Sequence, residues 1–346
     1  MKNQDFKFNW PLIGNAHITE FLGKSITRGS LNSVYIFNGP DNLGKTTLVN
    51  YFAQILLCEN RFKSGETPCG TCSSCRSFLI ETGENLELGN AHADFYLIKK
   101  EKDKKNISVE QVREFIRSLG MSSFSGVFKV GIIKHADSLS TEAANALLKT
   151  LEEPKDNVVI ILITEDSDTI PQTIVSRSQI LNFRLVDTDL VYNYLIDRHG
   201  VGRVDAKNFA RLSLGRPAMA LKFWEDKEFR MQYEDKVNLF LAFLTQDINA
   251  RLGAIENLID KKLQGQEAVR AVKRTLEVWQ GVIRDFLLLI YNHNNLVQHH
   301  QVEAGGRQSF SVHDLLRFQT LCRQGEKYLA ANVSPKSVLE NIAINI

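Results

Sequence analysis

Apolar and polar positions follow two different patterns along the chain, and the change between them falls near residue 186. The first half contains short apolar runs typical of buried strands, at residues 33–37, 95–98, 128–133, 158–163 and 180–183. Between these runs lie segments with helical spacing, such as residues 46–57, where Leu48, Phe52 and Ile55 share one face. Alternating strands and helices predict a parallel sheet covered by helices, which is an α/β fold.

Only helical spacing remains after residue 186. Short helices are predicted at residues 189–197, 206–212 and 218–224, and longer ones at 229–244, 248–262, 266–291, 312–331 and 335–342. A chain of 346 residues exceeds what one core usually supports. We therefore expect an α/β domain at residues 1–185, a small helical domain at 186–227 and a larger all-α domain at 228–346.

The composition excludes some classes of protein. There are 42 Lys and Arg residues against 40 Asp and Glu, a net charge of +2, which argues against a dedicated polyanion-binding protein. A hydrophobic content of 43% argues against a disordered chain. The first ten residues lack the apolar stretch of a secretory signal, and no apolar run reaches the roughly 18 residues that span a bilayer. We expect a cytoplasmic protein without a membrane segment.

Residues 39–47 read GPDNLGKTT and fit the phosphate-loop pattern G-x4-G-K-[ST]. The segment follows a predicted strand and opens a helix, where backbone N–H groups can bind phosphate oxygens. Lys45 is expected to reach the β- and γ-phosphates, and the Thr46 hydroxyl to bind Mg²⁺. Asn42 stands where many such loops have a glycine, and asparagine tolerates the left-handed conformation. The predicted nucleotide-binding residues of this phosphate loop are Gly39, Asn42, Gly44, Lys45, Thr46 and Thr47.

The acidic residues that ATP hydrolysis requires are missing from the strand expected to provide them. An active phosphate-loop enzyme has a carboxylate at the end of a neighbouring strand to bind Mg²⁺, and often a second one to orient the attacking water. After the 129–133 strand these two positions hold Lys134 and His135, and Asp137 comes three residues late. A cation repels Mg²⁺, so we expect a site that binds nucleotide without hydrolysing it and that disfavours Mg²⁺.

Four of the five cysteines lie close together in the sequence. Cys58, Cys69, Cys72 and Cys75 supply four thiolates, the number that a tetrahedral structural Zn²⁺ site needs. In a chain without an export signal, such clustering favours a metal over disulfides. Four protein ligands leave no open coordination position, so the predicted role of the module at about residues 58–75 is structural.

The remaining cysteine and the histidines give weaker signals. Cys322 lies on an apolar helical pattern and is expected in a core. His293, His299 and His300 lie in a polar segment without regular spacing, which does not favour a metal site.

A resemblance to a known family becomes specific at residues 107–154, which contain ISVEQVREFIRSLG and FKVGIIKHADSLSTEAANALLKTLEEP. With the phosphate loop, the four cysteines after its helix, and residues 176–178, this segment resembles bacterial clamp-loader subunits of the AAA+ class. These subunits belong to the DNA polymerase III holoenzyme. The similarity runs from residue 12 to residue 335, and it implies an AAA+ domain, a small helical lid domain and a helical collar domain.

The resemblance also implies roles for single residues. Arg177 lies in Ser176-Arg177-Ser178, which matches the family's Ser-Arg-Cys motif with Ser178 in place of the cysteine. In the family this arginine finger reaches the ATP bound by a neighbouring subunit, where a planar, permanently charged guanidinium stabilises the transferred phosphate. Thr164, at the end of the 158–163 strand, matches the position that senses the γ-phosphate.

Within the family the chain is most similar to the delta-prime type. Active motor subunits have an arginine in the helical domain, but the matching position here is Ala218, and Arg216 lies two residues earlier. A missing Mg²⁺ acid, catalytic acid and helical-domain arginine, with Arg177 retained, fit a stationary subunit that completes a neighbour's active site.

The resemblance thus implies a delta-prime-type stator that helps load the sliding clamp on primed DNA. Its implied partners are gamma/tau-type ATPase and delta-type subunits, with the clamp and primed DNA contacted through the assembled complex. Its implied cofactors are structural Zn²⁺, and ATP or ADP bound without hydrolysis. One alternative is a gamma/tau-type ATPase motor subunit of the same complex. The other is a stand-alone zinc-dependent nucleic-acid-binding protein.

Overall fold

The computed structural model describes residues 8–61, 67–78, 92–101, 104, 106–124, 128–258, 265–299, 302 and 310–346. The chain divides into two units. The first comprises Met1–Gly200 and Ser213–Met219, and the second comprises Val201–Leu212 and Ala220–Ile346. The three-domain scheme with boundaries at residues 185 and 227 stays a prediction.

A parallel sheet forms the centre of the first unit. Within the described residues its five strands are β1 (Val34–Asn38), β2 (Phe95–Ile98), β3 (Lys129–Lys134), β4 (Val158–Thr164) and β5 (Gln179–Asn182). Their order is β2-β3-β4-β1-β5, and all neighbours are parallel. The α/β class is confirmed, and each strand begins and ends within one residue of its predicted position.

Helices cover the sheet and form the second unit. Those of the first unit are α1 (Ala16–Arg28), α2 (Lys45–Leu57), α3 (Ser73–Phe78), α4 (Val109–Gly120), α5 (Thr141–Glu152), α6 (Gln172–Val175) and α7 (Thr188–His199). Those of the second are α8 (Arg203–Leu212), α10 (Lys227–Phe243), α11 (Ile248–Leu258), α12 (Gly265–Ile290), α13 (Val312–Ala330) and α14 (Pro335–Asn345). Helix α9 (Pro217–Glu225) begins in the first unit and ends in the second.

Each face of the sheet has its own hydrophobic core. Helices α1 and α2 pack on one face, where Phe52 of α2 contacts the core of Phe37 and Ile163. Helices α4 and α5 pack on the other face, around Ile36, Ile133 and Ile160. A Cβ on Gly131 of β3 would lie 2.5 Å from Phe115 of α4, so glycine permits this close helix–sheet approach. In the resulting three-layer arrangement the helices cover the two faces of the sheet, so binding sites can form at the ends of the strands.

Helix α1 is an element that the sequence analysis did not predict. Ile18, Leu22 and Ile26 recur at four-residue intervals and are fully or almost fully buried against the sheet. That spacing is the helical signal that could have found it.

The described residues of the second unit form helices and no strand. Its core surrounds Trp279 of α12, whose ring lies 5.4 Å from Phe240 and 5.3 Å from Phe243. The indole N–H donates to the carbonyl of Lys236 at 3.0 Å, so the buried ring leaves no unsatisfied donor. Cys322 is fully buried in this core, as predicted. None of the described helices has the length and apolar character to cross a membrane.

Candidate functional site

The phosphate loop connects the end of β1 to the start of α2, at the carboxyl edge of the sheet. Its shape requires left-handed backbone at Gly39 (φ 138°), Asn42 (φ 64°) and Gly44 (φ 86°). A Cβ on Gly39 would lie 2.6 Å from the carbonyl oxygen of Phe183, which leaves glycine as the residue that fits. Asn42 occupies the conformation that asparagine adopts more readily than most residues.

The start of α2 is free to bind an anion. The first N–H groups of a helix have no acceptors within the helix, and no described side chain caps α2 at Gly44 to supply one. Thr46 is half-buried and Thr47 is exposed. Uncapped N–H groups and the positive end of the helix dipole are what phosphate-binding helices use.

Lys45 folds back over the loop that precedes it. Its ammonium donates to the carbonyls of Gly39 and Pro40, the latter at 2.9 Å, and lies 3.7 Å from the Asp41 carboxylate. Burial lowers the pKa of Lys45, an effect that the negative charges of Asp41, Glu165 and Asp137 oppose. The ammonium is therefore held directly above the loop where it would meet a phosphate.

Lys134 ends β3 on the same face of the sheet as α2. It pairs in register with Ile163, which also pairs with Phe37, and residues in parallel register point to the same face. Ile163 and Phe37 lie in the core that packs against α2. The residue at the expected magnesium position is therefore a lysine on the phosphate-loop face, where it repels a metal cation.

The carboxylates near the loop do not replace the missing acid. Asp137 lies in the 3₁₀ turn Ala136–Ser138 and its Oδ1 is 3.5 Å from the Thr164 hydroxyl. Glu165 and Asp41 are close enough to influence Lys45, but Glu165 follows β4 and Asp41 lies in the loop, so neither stands at the end of β3 where the Mg²⁺-binding carboxylate is expected. The residues present therefore do not fit the Mg²⁺ site that an active phosphate-loop enzyme needs.

Thr164 lies beside the phosphate loop. It is 1% exposed and pairs in register with Asn38, the last residue before the loop. Its hydroxyl donates to the Asp166 carbonyl at 3.0 Å and accepts the Asp166 N–H at 3.2 Å. The side chain predicted to sense phosphate is thus adjacent to the loop and engaged with the turn that follows β4.

Residues 213–219 contact the phosphate loop through the backbone. The N–H of Ala218 donates to the carbonyl of Asn42 at 3.0 Å. Arg216 points elsewhere, because its Nε donates to the carbonyl of Ser213 at 3.2 Å. The position that holds an arginine in the family's motors therefore approaches the loop here with a main-chain group.

Arg177 lies near the amino ends of the parallel strands, whereas the phosphate loop lies at their carboxyl ends. It comes two residues before β5, whose Gln179 pairs with Tyr35 near the start of β1, whereas the loop follows the end of β1. The five residues of β1 span about 15 Å, which separates the two edges. Arg177 cannot reach a phosphate bound at its own loop without a rearrangement of the sheet.

The four clustered cysteines come together around one point. The Sγ atoms of Cys58, Cys69, Cys72 and Cys75 all lie within 4.8 Å of one another. A tetrahedral zinc site with Zn–S bonds of about 2.3 Å has sulfur–sulfur edges of about 3.8 Å. The Cys69–Cys75 pair lies 4.0 Å apart, so the donor set fits a closed four-thiolate metal site.

Hydrogen bonds to sulfur favour the thiolate form of Cys58 in this cluster. The backbone N–H groups of Cys72 and Cys75 donate to the Sγ atoms of Cys69 and Cys72, each at 3.4 Å. A hydrogen bond from the Cys75 thiol lowers the pKa of Cys58 to about 5, and the same contact raises the pKa of Cys75. The thiolate is the form that binds metals, so Cys58 is the cysteine of the four whose surroundings most favour a metal ligand.

Glu59 joins the two ends of the cysteine module. Its Oε1 accepts hydrogen bonds at the start of α3 from the Ser74 N–H (3.2 Å), the Ser74 hydroxyl (2.9 Å) and the Ser73 hydroxyl. A carboxylate also interacts well with the start of a helix. Glu59 follows Cys58 directly and α3 contains Cys75, so this cap helps fix two ligands relative to each other.

Comparison with known proteins found relatives among the subunits of DNA polymerase III. A family model described as "DNA polymerase III, delta subunit" matches residues 14–187. The chain is 31% identical over 187 residues to DNA polymerase III subunit gamma of Buchnera aphidicola, covering 53% of this chain and 47% of that protein. It is also 31% identical over 181 residues to DNA polymerase III subunit delta' of Bacillus subtilis, covering 52% and 51%. The matches thus span about half the length of these curated relatives.

A solved structure shares the fold along nearly the whole chain. It is a DNA polymerase III gamma subunit-related protein from Thermotoga maritima, with a TM-score of 0.52 and 14% identity, covering 95% of this chain and 97% of that one. The family model covers half of the 346 residues, including the phosphate loop, the cysteine module and Arg177. The chain belongs to the DNA polymerase III delta-subunit family, whose members are AAA+ clamp-loader subunits of bacteria.

Proposed function

We propose that this chain is a delta-prime-type stator of the DNA polymerase III clamp loader. It supplies Arg177 to the nucleotide of a neighbouring ATPase subunit and does not hydrolyse ATP at its own phosphate loop. Its contribution to clamp loading is to complete a neighbour's active site and to hold the assembly together.

One observation supports this role above all others: Arg177 and the phosphate loop lie at opposite ends of the strands of one sheet. Arg177 lies at the edge where β5 begins, remote from the chain's own loop. At the loop's edge, Lys134 and His135 occupy the positions of the Mg²⁺-binding and water-orienting carboxylates. The chain thus has an arginine for another site and lacks the acids for its own.

The phosphate loop and the cysteine module have supporting roles in this proposal. The uncapped α2 and the left-handed loop favour binding of ATP or ADP, which would stabilise the first unit. Zn²⁺ bound by the four cysteines would fix residues 58–75 next to α2, as a structural ion without an open coordination position. Neither nucleotide binding nor the structural role of zinc requires a reaction catalysed by a metal ion.

The proposed partners are other clamp-loader subunits, of the gamma/tau and delta types. The proposed collar is residues 228–346, whose helices have a core of their own around Trp279. The sliding clamp and primed DNA are contacted through the assembled complex. The near balance of charge, +2 over 346 residues, is compatible with a chain whose main contacts are with proteins.

Reconstitution with the gamma/tau-type and delta-type subunits of the same organism tests the proposal. ATP turnover of the complex is compared for wild type, Lys45→Ala, Arg177→Ala and Arg184→Ala. Arg184 is an exposed arginine just beyond the other end of β5 and is the matched control. Of the three variants, only Arg177→Ala is expected to slow ATP turnover, because the arginine stabilises charge on the transferred phosphate. Normal turnover by Arg177→Ala complexes of normal composition would refute the stator role.

A gamma/tau-type motor is the second candidate, favoured by the intact loop sequence and by the match to gamma subunits. The isolated chain decides between the two, because a motor requires its own acids. We expect no Mg²⁺-dependent ATP turnover by the chain alone, and appreciable turnover that Lys45→Ala abolishes would favour the motor.

A stand-alone zinc-dependent nucleic-acid-binding protein is the remaining candidate. The fitting cysteine cluster is the observation in its favour. Tight DNA binding by the isolated chain, weakening steeply as salt increases, would support it. We expect weak binding instead.

A further inference from the structure

Arg177 is held by contacts on two sides. Its Nη2 lies 2.8 Å from Oε1 of Glu152, and its Nη1 donates to the carbonyl of Thr173 at 2.9 Å and to the hydroxyl of Ser176 at 3.3 Å. The Arg177 side chain is 37% exposed and that of Glu152 is 50% exposed. The guanidinium is therefore oriented and still accessible to another molecule.

Glu152 reaches Arg177 from a different element. It is the last residue of α5, whereas Thr173 and Ser176 belong to α6 and its end. Helix α5 packs firmly on the sheet through the buried residues Ala143, Leu147 and Leu151. The carboxylate is thus attached to a rigid support next to its partner.

Both residues line a recess at the edge of the sheet where β5 begins. The recess has a volume of about 630 Å³, and Asn32, Pro154 and Gln179 also contribute to its walls. A polyanion bound by a neighbouring subunit would meet Arg177 at this surface. A long side chain presented there without support would lose rotamer freedom on binding.

We infer that Glu152 is a positioning residue that orders Arg177 before the neighbour's nucleotide arrives. This rests on the proposed stator function. The ion pair adds to the contacts with Thr173 and Ser176 and favours one orientation of the guanidinium in the free subunit, so less ordering is required when the interface forms. The ion pair is partly exposed and weak, so the guanidinium can exchange its contact with Glu152 for a contact with a phosphate oxygen.

The test uses the reconstituted complex and steady-state ATP hydrolysis. Glu152→Gln keeps the size of the side chain and removes its charge. Glu153→Gln makes the same change at the next residue, which is exposed and at the end of α5, and is the matched control. Each is also combined with Arg177→Ala. We expect Glu152→Gln to lower kcat about two- to threefold, with KM for ATP and complex composition unchanged, and Glu153→Gln to have no effect.

The combined variants separate positioning from a general structural effect. In the Arg177→Ala background, Glu152→Gln should produce no further loss, because the residue that it positions is absent. Equal losses in both backgrounds, or an unchanged kcat for Glu152→Gln while Arg177→Ala lowers turnover, would overturn the positioning role and leave the stator proposal intact. Normal turnover by Arg177→Ala would overturn both.

Discussion

The Asp285 carboxylate lies 2.7 Å from Nδ1 of His299, and both side chains are buried in the second unit. The same Oδ2 atom accepts the backbone N–H groups of Gln298 and His299, at 2.7 and 2.8 Å. On the other side of the ring, Nε2 of His299 lies 2.9 Å from the hydroxyl of Tyr233. Asp285 thus fastens the segment that follows α12 to α12 itself, and through His299 to α10.

We expect Asp285→Ala to destabilise the second unit strongly. Removing one member of a buried, hydrogen-bonded pair leaves two backbone N–H groups and an imidazole without their acceptor, a loss of about 3–5 kcal/mol. Urea unfolding followed by Trp fluorescence measures it, because Trp279 reports on this core. Asp235→Ala, on the exposed surface of α10, should change the unfolding free energy by less than about 0.5 kcal/mol. Similar midpoints for both variants would contradict the anchoring role.

We expect Cys72→Ser to lose bound zinc. It removes one sulfur from a set of four that lies within 4.8 Å, and a hydroxyl is a poor substitute for a thiolate. Metal analysis of the purified protein gives the zinc content per chain. Cys322→Ala, a change of a buried cysteine in the second unit, should retain the full content. Undiminished zinc in Cys72→Ser would show that the cluster does not bind it.

Alkaline pH should destabilise the wild type more than Cys322→Ala. Burial raises the pKa of Cys322 from 9.0 to about 12. The unfolded chain therefore loses this proton before the folded chain does, so the stabilisation is complete below pH 9 and is lost as pH rises toward 12. Unfolding free energies of both proteins between pH 8 and pH 11 test this, because all other titrating groups are shared. Parallel curves of unfolding free energy against pH for the two proteins would contradict the raised pKa of Cys322.

We expect restoration of the acids to create magnesium dependence at the phosphate loop. Lys134→Asp with His135→Glu removes the cation on the α2 face and places carboxylates at the end of β3. Binding of a fluorescent ATP analogue is measured with Mg²⁺ and with EDTA. Wild type should bind equally in both, whereas the double variant should bind more tightly with Mg²⁺. Lys24→Asp, which reverses the charge of a lysine at an exposed position of α1 as Lys134→Asp does at the end of β3, is the control. Abolition of wild-type binding by EDTA would contradict the expectation.

Local patterns were sufficient to predict the strands, the phosphate loop and the cysteine cluster. Each depends on residues close in the sequence: apolar runs bounded by turns, a glycine-rich segment before a helix, and three cysteines within seven positions. Thr164, which the family resemblance assigned to the nucleotide site, pairs in register with Asn38 beside the loop.

Contacts between residues distant in the chain could not be predicted in the same way. Asp285 and His299 are joined only because the chain folds back after α12, and the histidine's neighbours in sequence suggested a polar loop. His300 lies outside the described residues. The pairing of Glu152 with Arg177 likewise depends on how α5 and α6 meet at the sheet edge. Spacing along one element gives no information about such pairs, because tertiary packing selects them.

The separation of Arg177 and the phosphate loop has a consequence for symmetry. An arginine at one edge of a sheet and a nucleotide pocket at the other are two different surfaces, so neither can pair with itself about a twofold axis. Association through them would be head-to-tail, and such contacts continue from subunit to subunit until a ring closes or a terminal member stops them. In the proposed assembly, a chain whose pocket lacks the acids while its arginine remains would be such a terminal member: it would supply an arginine to a neighbour and hydrolyse no nucleotide itself.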